Sequence, residues 1–159
     1  MEAGSIPIAA VITEWRHHSH AWVLLNRLLE PEVWGHTRPF ALKLVSVYAD
    51  QFPPERDLSR GLCHEHNVPI FPTIRGAIGL GTRQVAVGGV LIIGEHGAYP
   101  INARGQWLYP RRRLFEGVVE TFRSLGGRVP VFSDKHLSYE WLFARWMYDV
   151  ARHEGIPLM

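Results

Sequence analysis

The sequence has few of the residues that mark several classes of protein. Cys63 is its one cysteine, so no internal disulfide can form and a reducing compartment is expected. No apolar run approaches the roughly 20 residues that span a bilayer. No basic segment followed by an apolar one predicts a secretion signal. We therefore expect a cytoplasmic protein that does not enter a membrane.

An excess of charge of one sign is also missing. The 17 basic residues nearly balance the 15 acidic ones and leave a formal net charge of +2. So small an excess gives no reason to expect a nucleic-acid partner, and we predict a small-molecule substrate instead. Lysine is rare among the cations, since only Lys43 and Lys135 occur.

What the sequence does have is a regular alternation of apolar segments. Strands alternating with helices predict a parallel sheet covered on both faces, and right-handed crossovers make it doubly wound. We expect an α/β, Rossmann-like, three-layer α/β/α fold in one domain, 1–159, for which we assume the strand order 3-2-1-4-5-6. The predicted strands are 6–13, 41–50, 68–73, 85–96, 128–134 and 156–159; the helices are 19–29, 53–67, 111–127 and 138–155, with a helical turn at 74–81 and loops at 30–40 and 97–110.

The last apolar segment, 156–159, reads as the first half of a strand, which favours a chain that is the N-terminal part of a longer protein. The aromatic helix 138–155 is explained by packing within the domain, or by a surface for another domain or subunit. A homo-oligomer and a missing C-terminal domain are therefore both open expectations.

Glycine is missing from the turn after the first predicted strand, which reads TEWRHHSHA (13–21). In a doubly wound sheet, ligands bind beyond the carboxyl ends of the strands where the strand order reverses, here strands 1, 4 and 5. Polar side chains follow all three strands, so we predict one titratable pocket. The polar residues that would line this pocket are Glu14, Arg16, His17, His18 and His20 after strand 1, Glu95 and His96 after strand 4, and Asp134, Lys135 and His136 after strand 5.

A nucleotide or a sugar-like molecule is one ligand for this pocket. Asp50, at the end of strand 2, is placed to accept hydrogen bonds from a ribose; a turn-capping role is equally open. Lys135 is a candidate to polarise a substrate oxygen, with a solvated loop lysine as the alternative. His96 and His136 are candidate acids or bases.

A metal is the second ligand class. The histidines of 17–20, with Glu95, His96 and His136, offer enough nitrogen and oxygen ligands for zinc. No HExxH motif or CxxC pair fixes their geometry, so we assign no metal site. The segment CHEH (63–66) is better explained by a core cysteine and surface histidines.

Three successive arginines, 111–113, open a predicted helix, where both the side chains and the helix dipole attract anions. A solvated first turn or contacts to an acidic partner are the alternatives.

Three longer segments resemble the N-terminal Rossmann domain of the glucose-fructose oxidoreductase / inositol dehydrogenase (Gfo/Idh/MocA) family. VSVYADQFPPERDLSRGLCHEHNVPIFPT (45–73) is similar to that family's second strand, acidic turn, helix and third strand. VGGVLIIGEHGAYP (87–100) is similar to its fourth strand and the turn over the nicotinamide. VPVFSDKHLSYEW (129–141) is similar to its Glu-Lys-Pro segment, with Asp134 and Lys135 at the Glu-Lys positions.

This resemblance implies an assignment of roles, with NAD or NADP as cofactor. Lys135 would contact substrate and cofactor in catalysis, and Asp50 would contact the ribose. The chain departs from the family in three places: it lacks the GxGxxG turn after strand 1, it has His136 where the family has proline, and it lacks the family's α+β second half.

The leading hypothesis is an NAD(P)-dependent oxidoreductase domain acting on a sugar- or polyol-like substrate. Lys135, His136 and His96 are its candidate catalytic residues. The candidate cofactor-binding residues are Glu14, Arg16, His17, His18, His20, Asp50, Glu95 and Asp134. The alternatives are a metal-assisted hydrolase or lyase that uses the histidines, and a non-catalytic Rossmann binding module.

Overall fold

Four of the apolar segments form a parallel sheet in the computed structural model, which describes residues 4–36 and 41–159. The strands are β1 (Ile6–Ile12), β2 (Leu42–Ala49), β3 (Gly89–Ile93) and β4 (Val131–Ser133), in the spatial order β2-β1-β3-β4. All the pairings between them are parallel. Residues 37–40 of the predicted loop 30–40 lie outside the described residues.

Single bridges extend the sheet at both edges. Ile70 pairs with Val47 beside β2, and Leu158 pairs with Val131 beside β4. These positions complete the predicted order 3-2-1-4-5-6, but segments 68–73 and 156–159 are not the strands that we predicted. Because prolines at 69, 72 and 157 lack an amide hydrogen, neither segment can form a continuous ladder. The predicted strands 85–96 and 128–134 are also shorter, since only Gly89–Ile93 and Val131–Ser133 pair.

Five helices connect the strands: α1 (His20–Leu29), α2 (Ser59–Glu65), α3 (Ile74–Gly79), α4 (Arg111–Leu125) and α5 (Trp141–Glu154). The Ser19 hydroxyl accepts the Trp22 amide at the start of α1, and Gly126 ends α4 with φ 73°. Both features agree with the sequence prediction. The predicted helices 53–67 and 138–155 start later, at Ser59 and Trp141. Residues 54–56 form a turn instead, directly after the first of two consecutive prolines.

The helices cover both faces of the sheet and give it two apolar cores. On one face, α3, α4 and α5 pack on Ala9 and Val11 of β1. On the other, α1 and α2 pack on Ala10 and Ile12. The predicted three-layer Rossmann-like fold is therefore confirmed.

Cys63 belongs to the second core, as the sequence predicted. Burial, with a smaller effect from Asp57, raises the pKa of its thiol to about 12, so the thiol stays protonated at neutral pH. None of the helices in residues 4–36 and 41–159 is both long and apolar enough to cross a membrane.

Candidate functional site

Three loops meet at the carboxyl edge of the sheet, after β1, β3 and β4. Each contains one residue other than glycine in the left-handed conformation: His18 (φ 59°), His96 (φ 70°) and Lys135 (φ 64°). Within the part of the chain that the structure describes, the other two such residues, Asn67 and Leu80, follow helix ends. Left-handed backbone is unfavourable for residues other than glycine and concentrates at functional sites. Its recurrence in these three loops therefore identifies the carboxyl edge of the sheet as the candidate functional site.

The loop after β1 contains no glycine, and buried side chains fix its conformation. Trp15 is fully buried, and its Nε1 donates to Oδ1 of Asn26 at 3.0 Å. The Thr13 hydroxyl donates to the Glu95 carbonyl at 2.5 Å, which ties this loop to the loop after β3. The Ser19 cap occupies the Trp22 amide, so that amide of the α1 N-terminus is not open to a phosphate.

Glu14, only 1% exposed, forms ion pairs with two arginines at the carboxyl edge of the sheet. Its Oε1 accepts from Nε of Arg16 at 2.9 Å, and its Oε2 accepts from Nη2 of Arg56 at 3.0 Å. Nη2 of Arg16 also lies 3.0 Å from Nδ1 of His96. We call Glu14, Arg16 and Arg56 the arginine cradle. Glu14 and Arg16 were predicted site residues, whereas nothing in the sequence distinguished Arg56 from other helix-flanking arginines.

A second group, the Glu95 cluster, consists of Glu95, Lys135, His20, Asp134 and Arg111. Nζ of Lys135 lies 2.9 Å from both carboxylate oxygens of Glu95. Nδ1 of His20 lies 2.7 Å from Oδ2 of Asp134 and 3.7 Å from Oε2 of Glu95. Nη2 of Arg111 lies 3.9 Å from the same Glu95 oxygen. The structure thus brings together predicted residues from all three loops.

Glu95 remains ionised in this cluster. Burial by itself raises the pKa of its carboxyl, but the hydrogen bond and charge of Lys135, with His20 and His96, outweigh burial and lower it. The carboxylate therefore fixes the Lys135 ammonium through an ion pair at neutral pH.

His96 and His136 are both held neutral. Burial and then the charge of Arg16 lower the pKa of His96 below its usual value. Burial and then Arg111, whose Nη1 lies 3.3 Å from Nε2 of His136, lower the pKa of His136. Neutral imidazoles at pH 7 can accept a proton, which is the role predicted for both.

Asp50 is held by three hydrogen-bond donors. It accepts from Nη2 of Arg113 and from the Tyr99 hydroxyl at 2.6 Å each, and from the Tyr48 hydroxyl at 3.0 Å. Burial favours the neutral acid, but these hydrogen bonds outweigh it and hold the pKa of Asp50 below its usual value. The contact between Asp50 and a ribose stays a prediction. In this structure the Asp50 carboxylate, at the end of β2, binds Arg113 of α4 and Tyr99 of the loop after β3 and so connects these segments.

His17 and His18 lie apart from the Glu95 cluster. Both are exposed, and their rings pack at 6.0 and 5.3 Å from the ring of Trp22 on α1. Of the three histidines in the first loop segment, His20 is the one that faces the other two loops.

Each residue of the arginine run 111–113 has a different partner. Arg111 is buried beside Glu95 and His136, and Arg113 pairs with Asp50. The guanidinium of Arg112 lies over the rings of Phe143 and Trp146 at 4.4 and 4.8 Å. The run is therefore neither a solvated turn nor an open anion site. The spacing of the arginines was visible in the sequence, but their partners come from distant segments.

Within the predicted loop 97–110, residues 100–108 form a short hairpin. Ile101 pairs with Trp107, and the Asn102 side chain accepts from the amides of Arg104 and Gln106. The Trp107 and Tyr109 rings are stacked, 6.0 Å apart and 8° from parallel. Between the hairpin and the arginine cradle lies a cavity of about 270 Å³, lined by Glu14, Arg16, Arg56, His96, Gly97, Trp107 and Tyr109.

One group in the described residues has the composition of a metal site: His20, Glu95 and Asp134, with one ligand atom of each within 4.8 Å of the others. Lys135 and Arg111 lie beside the same Glu95 carboxylate. Two fixed cations balance the two carboxylates, so a further cation gains little electrostatic stabilisation there.

No protein-family model and no curated protein matches the chain. Solved structures do. They include the dehydrogenase MviM of Clostridium difficile, with TM-score 0.58 and 12% identity over 97% of this chain and 38% of that one. The WlbA dehydrogenase of Chromobacterium violaceum, solved with NADH and UDP-GlcNAcA, matches with TM-score 0.58 and 11% identity over 100% and 35% of the two chains.

A super-repressor mutant of Gal80p from Saccharomyces cerevisiae matches with TM-score 0.62 and 11% identity over 96% of this chain and 33% of that one. The chain thus spans about a third of the length of each of these three structures. At such identities the likeness concerns the fold, and one fold supports different functions. The chain is similar, over nearly its whole length, to the Rossmann-like part of proteins that include dehydrogenases and a repressor.

Proposed function

We propose that the chain is the dinucleotide-binding domain of an NAD(P)-dependent oxidoreductase of the Gfo/Idh/MocA kind, acting on a sugar- or polyol-like substrate. Residues 1–159 would form one domain, and a further domain or a second copy would complete the substrate site. The observation that carries the proposal is the ion pair between Lys135 and Glu95, at the ligand-binding edge of a Rossmann-like sheet. The dehydrogenases among the similar structures support the same class of reaction.

Lys135 is the residue best placed to act on substrate. Its side chain is 40% exposed, while Glu95 holds its position through two short contacts. An ammonium has three hydrogens, so at least one N–H remains to donate to a substrate hydroxyl or carbonyl oxygen. Such a donor stabilises negative charge that develops on that oxygen.

Proton transfer falls to the neutral imidazoles. His136 beside Arg111 and His96 beside Arg16 can each take the hydroxyl proton when an alcohol is oxidised, once the substrate hydroxyl displaces the guanidinium from the unprotonated ring nitrogen. Asp134 also orients the His20 ring at the site through the hydrogen bond between its carboxylate and Nδ1 of His20. The nicotinamide, when bound, supplies the hydride acceptor.

The residues present fit a dinucleotide at two of three places. The reactive end has Lys135, and the phosphates can meet the two guanidiniums of the arginine cradle in place of glycine amides. At the ribose position, Asp50 already accepts three hydrogen bonds, which leaves about one of the four acceptor sites of its carboxylate for a ribose hydroxyl. Cofactor affinity is therefore expected to be modest.

Cofactor binding is tested by titrating NADH and NADPH into the full-length protein while following its tryptophan fluorescence. We expect saturable binding of at least one of them. No binding at millimolar cofactor contradicts the assignment.

The role of Lys135 is tested by turnover of a panel of polyols with NAD or NADP. Lys135→Gln should lower kcat about 100-fold or more, the range of a lost acid–base or polarising group, and leave the dissociation constant of the cofactor within a few-fold. Lys43→Gln is the matched control, because it removes the same charge from an exposed position on β2. Equal turnover in both variants would show that Lys135 is not a catalytic residue, and a wild type without turnover on any polyol would point to a non-catalytic binding module.

The group His20, Glu95 and Asp134 favours one second candidate, a metal-assisted hydrolase or lyase. The two cations beside Glu95 favour the oxidoreductase over it. Elemental analysis of purified protein separates the two. Near-stoichiometric zinc that is lost in His20→Ala would support the metal enzyme, and metal-free protein with full cofactor binding would exclude it.

A further inference from the structure

The arginine cradle is a rigid pair of cations. One buried carboxylate, Glu14, binds both guanidiniums, each through a separate oxygen. Arg16 comes from the loop after β1, and Arg56 from the turn before α2, 42 positions from Glu14 in sequence. Because Glu14 is inaccessible to solvent, its charge is already committed to the two arginines. Two guanidiniums and one carboxylate leave this group with one net positive charge.

The cradle keeps unused hydrogen-bond donors. A guanidinium has five N–H groups. Arg56 uses its Nε and Nη2 for Glu14, which leaves three. Arg16 uses one N–H each for Glu14, the His17 carbonyl and His96, which leaves two. Such paired forks match the oxygens of a phosphate.

The cavity above the cradle combines this charge with an aromatic wall. The Trp107 and Tyr109 rings line the cavity together with the two arginines, and Trp107 is 45% exposed. At about 270 Å³, the cavity is at the lower end of small-molecule sites. It lies between the ends of β1 and β3, where the strand order reverses. A ligand here needs an anionic group at one end and a ring at the other.

We infer that Arg16 and Arg56, fixed by Glu14, bind the phosphate group of a phosphate ester whose ring packs on Trp107. Neither Arg56 nor Trp107 is assigned a role by the sequence resemblance. The inference rests on the proposed function in one respect, since the same crevice would take the phosphates of the dinucleotide. A phosphorylated sugar is the other source of the same chemistry.

The test is isothermal titration of the full-length protein with inorganic pyrophosphate, NADH and glucose 6-phosphate. Pyrophosphate should bind wild type, and Arg56→Gln should weaken it about tenfold or more, as expected for lost hydrogen bonds between charged groups. Arg60→Gln is the matched control, because Arg60 lies four positions further on, pairs with Asp57 and does not line the cavity. It should bind within twofold of wild type.

Trp107→Ala separates the ring from the phosphate. It should weaken NADH or glucose 6-phosphate about tenfold and leave pyrophosphate unchanged, since pyrophosphate has no ring to stack. If circular dichroism shows that Arg56→Gln does not fold, Arg56→Lys replaces it. That variant keeps the charge, loses the fork, and should still weaken pyrophosphate several-fold.

The outcomes distinguish this inference from the proposed function. Pyrophosphate that fails to bind, or that binds Arg56→Gln or Arg56→Lys as it binds wild type, overturns the cradle. Equal affinity of NADH for wild type and Arg56→Gln, together with equal affinity of pyrophosphate for the two proteins, overturns the cradle and leaves the oxidoreductase standing. Glucose 6-phosphate that competes with pyrophosphate, without any NADH binding, supports the cradle and removes the dinucleotide.

Discussion

Trp15 determines the course of the loop after β1. Its ring is fully buried beneath the loop, and its one polar hydrogen is given to the buried Asn26 side chain. Trp15→Phe should lower the free energy of unfolding by about 1–3 kcal/mol, because Oδ1 of Asn26 is left without its donor. Trp15→Ala should lower it by about 3–5 kcal/mol through the cavity that it creates.

Urea unfolding measures both variants against Trp141→Phe. Trp141 is 74% exposed, so its replacement should stay within about 0.5 kcal/mol of wild type. A Trp15→Phe protein as stable as wild type would mean that the hydrogen bond to Asn26 contributes nothing to holding the loop.

Asp50 links stability to pH. Its pKa is lowered in the folded protein, so its contribution to stability is present above the unfolded pKa of about 3.9 and is lost as the pH falls through the folded value. Asp50→Asn should therefore be about 1–3 kcal/mol less stable than wild type at pH 7. The difference should shrink steadily below about pH 4, as the wild-type carboxylate takes up a proton.

Unfolding curves at several pH values measure this difference. Asp149→Asn is the control, because Asp149 is half exposed on α5 and pairs with an exposed arginine one helical turn away. If the difference in free energy of unfolding between wild type and Asp50→Asn stays constant from pH 7 to pH 3, the ionised Asp50 carboxylate does not provide the stabilisation proposed here.

At the scale of elements, Gly94 allows the first turn of α4 to approach the end of β3. A Cβ at this position would lie 2.8 Å from Cγ of Arg111 and 3.5 Å from its Cα. Gly94→Ala should thus displace Arg111 from Glu95 and His136 and lower the free energy of unfolding by about 1–3 kcal/mol. It should also lower the affinity for pyrophosphate less than Arg56→Gln does, since the arginine cradle stays intact.

Gly61→Ala is the control for this change. Gly61 is an exposed residue inside α2, and a Cβ there would meet no atom within 4 Å. The substitution should raise stability by about 0.5–1 kcal/mol through helix propensity. Thermal unfolding of the two variants should therefore shift in opposite directions.

The elements themselves follow from local sequence, and their exact lengths do not. The five apolar residues at helical spacing in α4 are all buried, because they share the face that packs on the sheet: Leu114, Phe115, Val118, Val119 and Phe122. The right-handed crossover rule limits the topology to a doubly wound sheet. The strands predicted at 68–73 and 156–159 are longer than the segments that pair, because their prolines permit an extended chain but not a continuous ladder of hydrogen bonds.

At the scale of the molecule, the site depends on pairs that no local pattern specifies. Glu14 meets Arg56, and Asp50 meets Arg113 and Tyr99, across 42 to 63 positions of sequence. Topology predicted that polar loops after three strands would meet, and Glu95, Lys135, His20 and Asp134 do meet. Which carboxylate pairs with which cation depends on side-chain packing, so Arg56 and Trp107 were not found from the sequence, and Arg111 was found without its partners.

β1 connects the two cores and makes the described domain a single cooperative unit. Alternate residues of β1 belong to opposite cores, so loss of either core exposes the central strand. We expect one unfolding transition, with coincident midpoints by circular dichroism and tryptophan fluorescence. Leu25→Ala on one face and Met147→Ala on the other remove fully buried side chains and should each lower stability by about 2–5 kcal/mol.

Both substitutions should move the two midpoints together and leave the urea dependence of the free energy of unfolding unchanged, because the same surface is exposed in each case. Separate midpoints for the two probes would show that the faces unfold independently. A shift of one probe alone in either variant would show the same. β1 would then be held by one core without the other, and the site at its carboxyl end would depend on that core alone.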